Sequence, residues 1–283
     1  MHELFLTTYV YEGDLNTTEK ILQGYCASHP KTILFRKLIW EGPRTRTPKP
    51  IDVKFIKAQP QQVMMSWKFL SDQLSRQSYI LNTLYEVDES SFGQAENGIM
   101  SDTNNPPREG YYLDQRPGTL RWNDLPDPTA AKPVNSRLPD PGLTRPVNSR
   151  LIVSIENQGN LCSIMRMLNH RHVTKIPSEI AAANDAQDSI RSVFELTRYL
   201  EFPASEGEPV GKIRSQLPAF STLLPFDSEN KWILTASVLV AKGDDPQQMK
   251  KGMDQLVAIK TDFEGCFDFK AMDRHIFDTR VKI

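Results

Sequence analysis

Nine of the twenty prolines in this 283-residue chain fall between Pro106 and Pro146. Proline fixes φ and has no backbone N–H, so this stretch is predicted to stay out of a sheet interior. Its neighbours are rich in Asn, Asp, Ser and Gly. The chain therefore reads as a single domain over 1–283, with 93–148 a Pro-rich, largely irregular insertion. Removing roughly residues 94–116 is predicted to leave the melting temperature nearly unchanged, because loop closure depends weakly on length. Two features stand out within the insertion. Pro133-Val134-Asn135-Ser136-Arg137-Leu138 is repeated as Pro146-Val147-Asn148-Ser149-Arg150-Leu151, and two copies are too few for a solenoid. Trp122 and Leu125 sit in Gly118 to Pro128 and are predicted to dock on the chain's own body or on a neighbour.

Strand signals dominate on either side. His2–Val10, Lys31–Trp40, Ile51–Ile56, Ser78–Val87, Leu151–Ile155, Arg171–Ile176, Ser189–Phe202, Lys231–Ala241, Asp262–Phe269 and Arg274–Lys282 all read as strands. In the clearest, Trp232, Leu234, Ala236, Val238 and Val240 share one face. Helices are predicted over 14–25, 63–75, 160–168 and 246–260. The last has Asp245 as N-cap, Pro246 at its first position and an apolar face of Met249, Met253, Leu256 and Val257. The predicted fold class is α+β, mainly β: an antiparallel closed β-barrel with a few flanking helices and the long Pro-rich insertion. Closed or nearly closed, a barrel removes exposed strand edges, which favours it, although periodicity alone does not separate it from a sandwich.

Lys plus Arg is 34 and Asp plus Glu is 35, for a net charge of −1. That lacks the basic surplus of a nucleic-acid binder. No apolar run is long enough for a membrane-spanning helix, and Met1-His2-Glu3-Leu4-Phe5 does not open a secretory signal. Three cysteines, far apart, fit a reducing compartment.

Searching for chemistry yields no catalytic residue, no cofactor and no metal site. Gly207-Glu208-Pro209-Val210-Gly211-Lys212-Ile213 is one residue short of a phosphate loop, and Ile213 replaces its hydroxyl ligand. His170 and His172 share a strand face, but two ligands do not make a zinc site. The best enzymatic alternative is Asp262, Glu264, Asp268 and Lys270 along one face of the Asp262–Phe269 strand. Facing into a barrel, they would hold divalent cations and phosphate, as in a metal-dependent tunnel-type triphosphate phosphohydrolase. The default reading is the wet face of a half-buried strand.

Four segments carry a resemblance. These are His2 to Thr7, Leu74-Ser75-Arg76-Gln77-Ser78-Tyr79-Ile80-Leu81, Arg121 to Pro128 followed by Pro146 to Arg150, and Met272-Asp273-Arg274-His275-Ile276-Phe277-Asp278-Thr279-Arg280-Val281. Together they resemble the Mediator subunit 18 family in a filamentous-fungal form. The resemblance implies a nuclear, non-enzymatic subunit of the Mediator head module, which relays signals from activators to RNA polymerase II. It implies a β-barrel related to triphosphate-tunnel barrels. It also implies pairing with Mediator subunit 20 and tethering by the C-terminal helix of subunit 8. The Glu-x-Glu-x-Lys set of the tunnel enzymes is missing near the N-terminus, and Asp262, Glu264 and Lys270 have the wrong spacing for it. Trp122, Leu125, Arg274, Asp278 and Arg280 are the expected partner-binding residues, because they sit in motifs that carry the resemblance.

Overall fold

The computed structural model describes residues 1–43, 50–76, 79–93, 110–129, 147–173, 178–185, 192–202, 213–214 and 217–270. The strands are β1 (His2–Val10), β2 (Lys31–Glu41), β3 (Tyr79–Val87), β4 (Gly118–Asp124), β5 (Asp127–Thr129), β6 (Val147–Gln158), β7 (Arg171–Val173), β8 (Ser178–Asp185), β9 (Ser192–Glu201), β10 (Leu224–Pro225) and β11 (Trp232–Val240). The helices are α1 (Leu15–Cys26), α2 (Val53–Lys57), α3 (Gln61–Gln73), α4 (Tyr111–Asp114), α5 (Leu161–Met167) and α6 (Pro246–Asp262).

All strands join one antiparallel sheet in the order β1-β11-β9-β8-β2-β3-β4-β6-β5, with β10 on β9 and β7 on β2. Period-2 alternation gives each strand two different faces. On β1, Leu4 and Leu6 point to the outside of the rolled sheet, under α6, while Phe5, Thr7 and Tyr9 point to the inside. On β11, the predicted face of Trp232, Leu234, Ala236, Val238 and Val240 lies in the same outer core, and Ile233 and Thr235 face inward. The outer surface thus carries two large hydrophobic cores, beside a smaller cluster of Val87, Phe92 and Leu217. Helices α1 and α6 cover β1, β9 and β11 around Phe194, Leu234, Leu256 and Phe263. Helices α3 and α5 cover β3, β4 and β6 around Trp67, Leu81, Trp122 and Ile155. At Gly252, α6 comes so close that an added Cβ would lie 2.9 Å from Leu4 Cδ1.

The expected closed barrel is corrected. The sheet is open along most of its seam. The two ends of the run meet over four residue pairs, His2–Phe5 of β1 with Leu151–Asn148 of β6. Beyond them, from Ile152 onward, β6 runs past the start of β1. Beyond Phe5, the seam edge of β1, opposite the edge paired with β11, takes only an isolated bridge between Thr7 and Lys270 among the described residues. The strand run itself ends on the short edge strand β5.

Other expectations change for local reasons. Ile51–Ile56 is not a strand: Asp52 accepts from the Lys54 N–H at 2.8 Å and starts α2. Asp262–Phe269 is not a strand either. Helix α6 runs to Asp262, and Gly265 at φ 84° turns the chain. Phe263 and Phe267 lie four residues apart and stack at 5.3 Å, a spacing that suits a turn as well as a strand. The proline-rich stretch contributes β4 to the sheet, between β3 and β6. Pro117 and Pro126 flank that strand and do not interrupt it. Strand β8 has the helix-like sequence Ser-Glu-Ile-Ala-Ala-Ala-Asn-Asp and is extended because β2 and β9 pair with it on both sides. The predicted strand Arg274–Lys282 and most of the Gly207–Ile213 segment lie outside the described residues.

Candidate functional site

The inner face of the rolled sheet surrounds a cavity of about 420 Å³. Strands β1, β2, β3, β4, β6, β9 and β11 all send side chains into it. The result is a mixed wall: Phe5, Ile39, Ile80 and Leu84 beside Lys37, Asn82, Arg121, Asn123, Arg150 and Glu195.

The charges on this wall are paired. Glu3, buried at the seam, takes Arg150 through Nε and Arg121 through Nη2 at 3.3 Å. Burial alone would raise the Glu3 carboxyl, but the two guanidiniums outweigh it and hold it below the usual carboxylate range. The Arg150 guanidinium also lies 4.6 Å from the Phe5 ring centroid. Lys37 lies 5.1 Å from the Tyr199 ring centroid. At the mouth, Lys231 pairs with Glu229 and sits 5.6 Å from the ring centroids of both Tyr9 and Tyr11.

This arrangement does not assemble the hydrolase alternative. Asp262, Glu264, Asp268 and Lys270 are all exposed and none lines the cavity. Asp262 accepts a hydrogen bond from the Tyr25 hydroxyl at 3.0 Å, and Asp268 pairs with Lys270 at 2.5 Å in solvent. No group of three His, Cys, Asp or Glu side chains gathers among the described residues. His170 and His172 also go separate ways. His170 is buried against Tyr79, and His172 packs edge-on to Trp40. Cys162 is buried with Sγ 3.4 Å from the Tyr85 hydroxyl, and burial pushes its thiol up to about 11.

The expected partner-binding residues fall in two groups. Trp122 is fully buried in the outer core between Leu81 and Val153, with Tyr79 and the Arg76 guanidinium against its ring. Leu125 is also buried. Both support the sheet from within, and neither presents a surface. Arg274, Asp278 and Arg280 lie outside the described residues. Sequence reasoning missed several exposed apolar side chains. Val53 on α2 and Met65 and Phe69 on α3 are exposed, as are Tyr9 and Phe226, which line the cavity, and Tyr11, whose ring centroid lies 5.6 Å from Lys231 Nζ. On a helix or edge strand, single apolar residues at these positions look like core, and only the packing reveals them as outward-facing.

Comparison with known proteins adds a full-length correspondence. A family model described as Med18 protein matches residues 2–138 and 136–280. The chain is similar to "Mediator of RNA polymerase II transcription subunit 18" of Aspergillus oryzae (strain ATCC 42149 / RIB 40), at 24% identity over 295 residues covering 100% of both chains. It is similarly related to the subunit of the same name in Neosartorya fischeri, at 25% identity over 293 residues and again 100% of both chains. These relatives carry the name of a transcription subunit and not of an enzyme. A chain in the solved structure of the Schizosaccharomyces pombe Mediator head module superposes with a TM-score of 0.56 at 14% identity, covering 95% of this chain and 98% of that one. At that identity the likeness concerns the fold.

Proposed function

The chain belongs to the Mediator subunit 18 family, and from that premise we propose that it works as a non-enzymatic subunit of the Mediator head module. In this reading it pairs with Mediator subunit 20, is held by the C-terminal helix of subunit 8, and helps pass activator signals to RNA polymerase II in the nucleus. The observation that carries the reading is the end-to-end correspondence with transcription subunits. The surface chemistry supports it. Exposed Val53, Met65 and Phe69, and the aromatic mouth at Tyr9, Tyr11 and Phe226, are apolar side chains that a second polypeptide would take out of water. A stable interface of ordinary size buries about 1,600 Å².

The test is co-expression of this chain with subunits 8 and 20, followed by affinity purification and size-exclusion chromatography. A stable ternary complex at equal stoichiometry is expected. A chain that elutes alone beside both subunits overturns the pairing. A fluorescent fusion that stays outside the nucleus overturns the location.

A further inference from the structure

Strand register arranges part of the cavity wall in rows, because directly opposed residues lie side by side on one face of a sheet. In one row, Ile39 of β2 lies opposite Asn82 of β3, and Asn82 opposite Arg121 of β4. In a neighbouring row, Ile80 of β3 lies opposite Asn123 of β4, and Asn123 opposite Ile152 of β6. Asn82 and Asn123 both line the cavity, yet they are only 3% and 5% exposed. Their Oδ1 atoms are buried and accept no hydrogen bond among the described residues. The rows give the reason. Asn123 has an aliphatic neighbour on each side. Asn82 has one on one side and, on the other, a guanidinium whose Nη2 donates to Glu3.

A buried polar atom without a partner works against folding, and an apolar side chain of the same shape would not carry that cost. Two such amides on one wall are groups that the fold itself does not use. The two ends of an amide exchange by rotation about its last torsion, so each can offer the cavity a donor or an acceptor. Arg121 and Arg150 stand on the same wall and keep 25% and 15% side-chain exposure, so contact with Glu3 does not close either of them off. Phe5, Ile39 and Ile80 supply apolar surface beside them. A cavity of about 420 Å³ is within the range of small-molecule sites.

We propose that this wall binds a small organic anion that has an apolar body and a hydrogen-bond donor. Arg121 and Arg150 take the charge, Asn82 and Asn123 take the donor and acceptor groups, and Phe5, Ile39 and Ile80 cover the apolar part. The site lies on the inner face of the sheet and is independent of the pairing with other subunits.

N-acetyl-L-leucine, with one carboxylate, one amide N–H and an isobutyl group, is the probe for the full-length chain. It is expected to bind with a Kd of about 1 mM, as suits a ligand of that size. At about 10 mM it is expected to raise the melting temperature by about 3 °C. Its methyl ester, which lacks the charge, and acetate, which lacks the body, are each expected to give less than about 1 °C at the same concentration. No shift with N-acetyl-L-leucine overturns the proposal, and so does an equal shift with acetate or the ester. Asn82→Leu keeps the shape of the side chain and removes the amide. It is expected to melt about 1–2 °C above the parent and to lose most of the shift with the probe. A variant that melts below the parent shows that the amide serves the fold, and overturns the proposal; so does a variant that keeps the full shift. If Asn82→Leu does not fold, Asn123→Leu carries the same expectations, and failure of both to fold overturns the proposal.

Discussion

Glu3 sits where the two ends of the sheet touch, and its carboxylate serves two guanidiniums from different strands, Arg121 of β4 and Arg150 of β6. Replacing it by Gln removes the carboxylate charge that both partly buried guanidiniums share. Arg121 and Arg150 keep 25% and 15% side-chain exposure, so the cost falls below that of a fully buried pair, at about 2 kcal/mol. Urea denaturation of Glu3→Gln checks this, and a loss under about 0.5 kcal/mol contradicts it. His170 governs a different pH window. Burial pushes its imidazole down to about 4, opposed in part by the hydrogen-bond partner at the Leu168 carbonyl, and Nε2 lies 3.1 Å from the Tyr79 hydroxyl. The unfolded chain takes up a proton near pH 6.5 and the folded one only near pH 4. Stability from the neutral ring is therefore complete above about pH 6.5 and is lost progressively as pH falls to 4. Glu3, with its folded value depressed, adds its own loss only at lower pH, as its carboxyl protonates. Thermal melts of the parent and His170→Asn between pH 7.5 and 4.5 are expected to show a flatter curve for the variant. Parallel curves refute the assignment.

Among the elements, the short helices α4 and α5 depend on one side chain. Asp114 accepts from the Cys162 N–H at 2.8 Å, the Ser163 N–H at 3.2 Å and the Ser163 hydroxyl at 2.5 Å. It is the cap of α5, supplied from outside that helix, and Leu113 beside it is buried in the core. The sequence-based expectation that 94–116 is dispensable is therefore too broad. Replacing residues 94–109 by a short Gly/Ser linker is expected to shift the melting temperature by less than about 2 °C. Asp114→Ala is expected to cost about 1–2 kcal/mol by the loss of a cap and a buried acceptor. Both are read by thermal denaturation, and an Asp114→Ala protein as stable as the parent removes the capping role. Element identity was legible where the local signals agree. Asp245 accepts from the N–H groups of Gln247 and Gln248 at 2.9 and 3.3 Å, as its position before Pro246 predicts. It was not legible at Ile51–Ile56, where a short apolar run fits either period and one aspartate decides the outcome. Nor was it legible at β8, where an alanine-rich sequence is extended only because two neighbours pair with it.

For the molecule as a whole, the co-purification with subunits 8 and 20 is the decisive measurement, since a scaffold is defined by what it holds. Of the site, little could be read in advance. For Trp122 the sequence leaves docking on this chain and on a neighbour both open, and it is β3 and β6, pairing with its strand, that put it in the core. Asp262 and Glu264 look like ligands on one strand face until α6 continues through the first and turns at Gly265. The amino-acid order alone established the β-rich character, the face of β11, the start of α6 and the family resemblance. These depend on period, caps and motifs, all carried by residues close together in the chain. How far the sheet closes, which side chains line its cavity and which apolar groups stay outside came from the folded arrangement. Each depends on strand partners more than a hundred residues apart, such as Glu3 and Arg150, whose meeting no local pattern encodes.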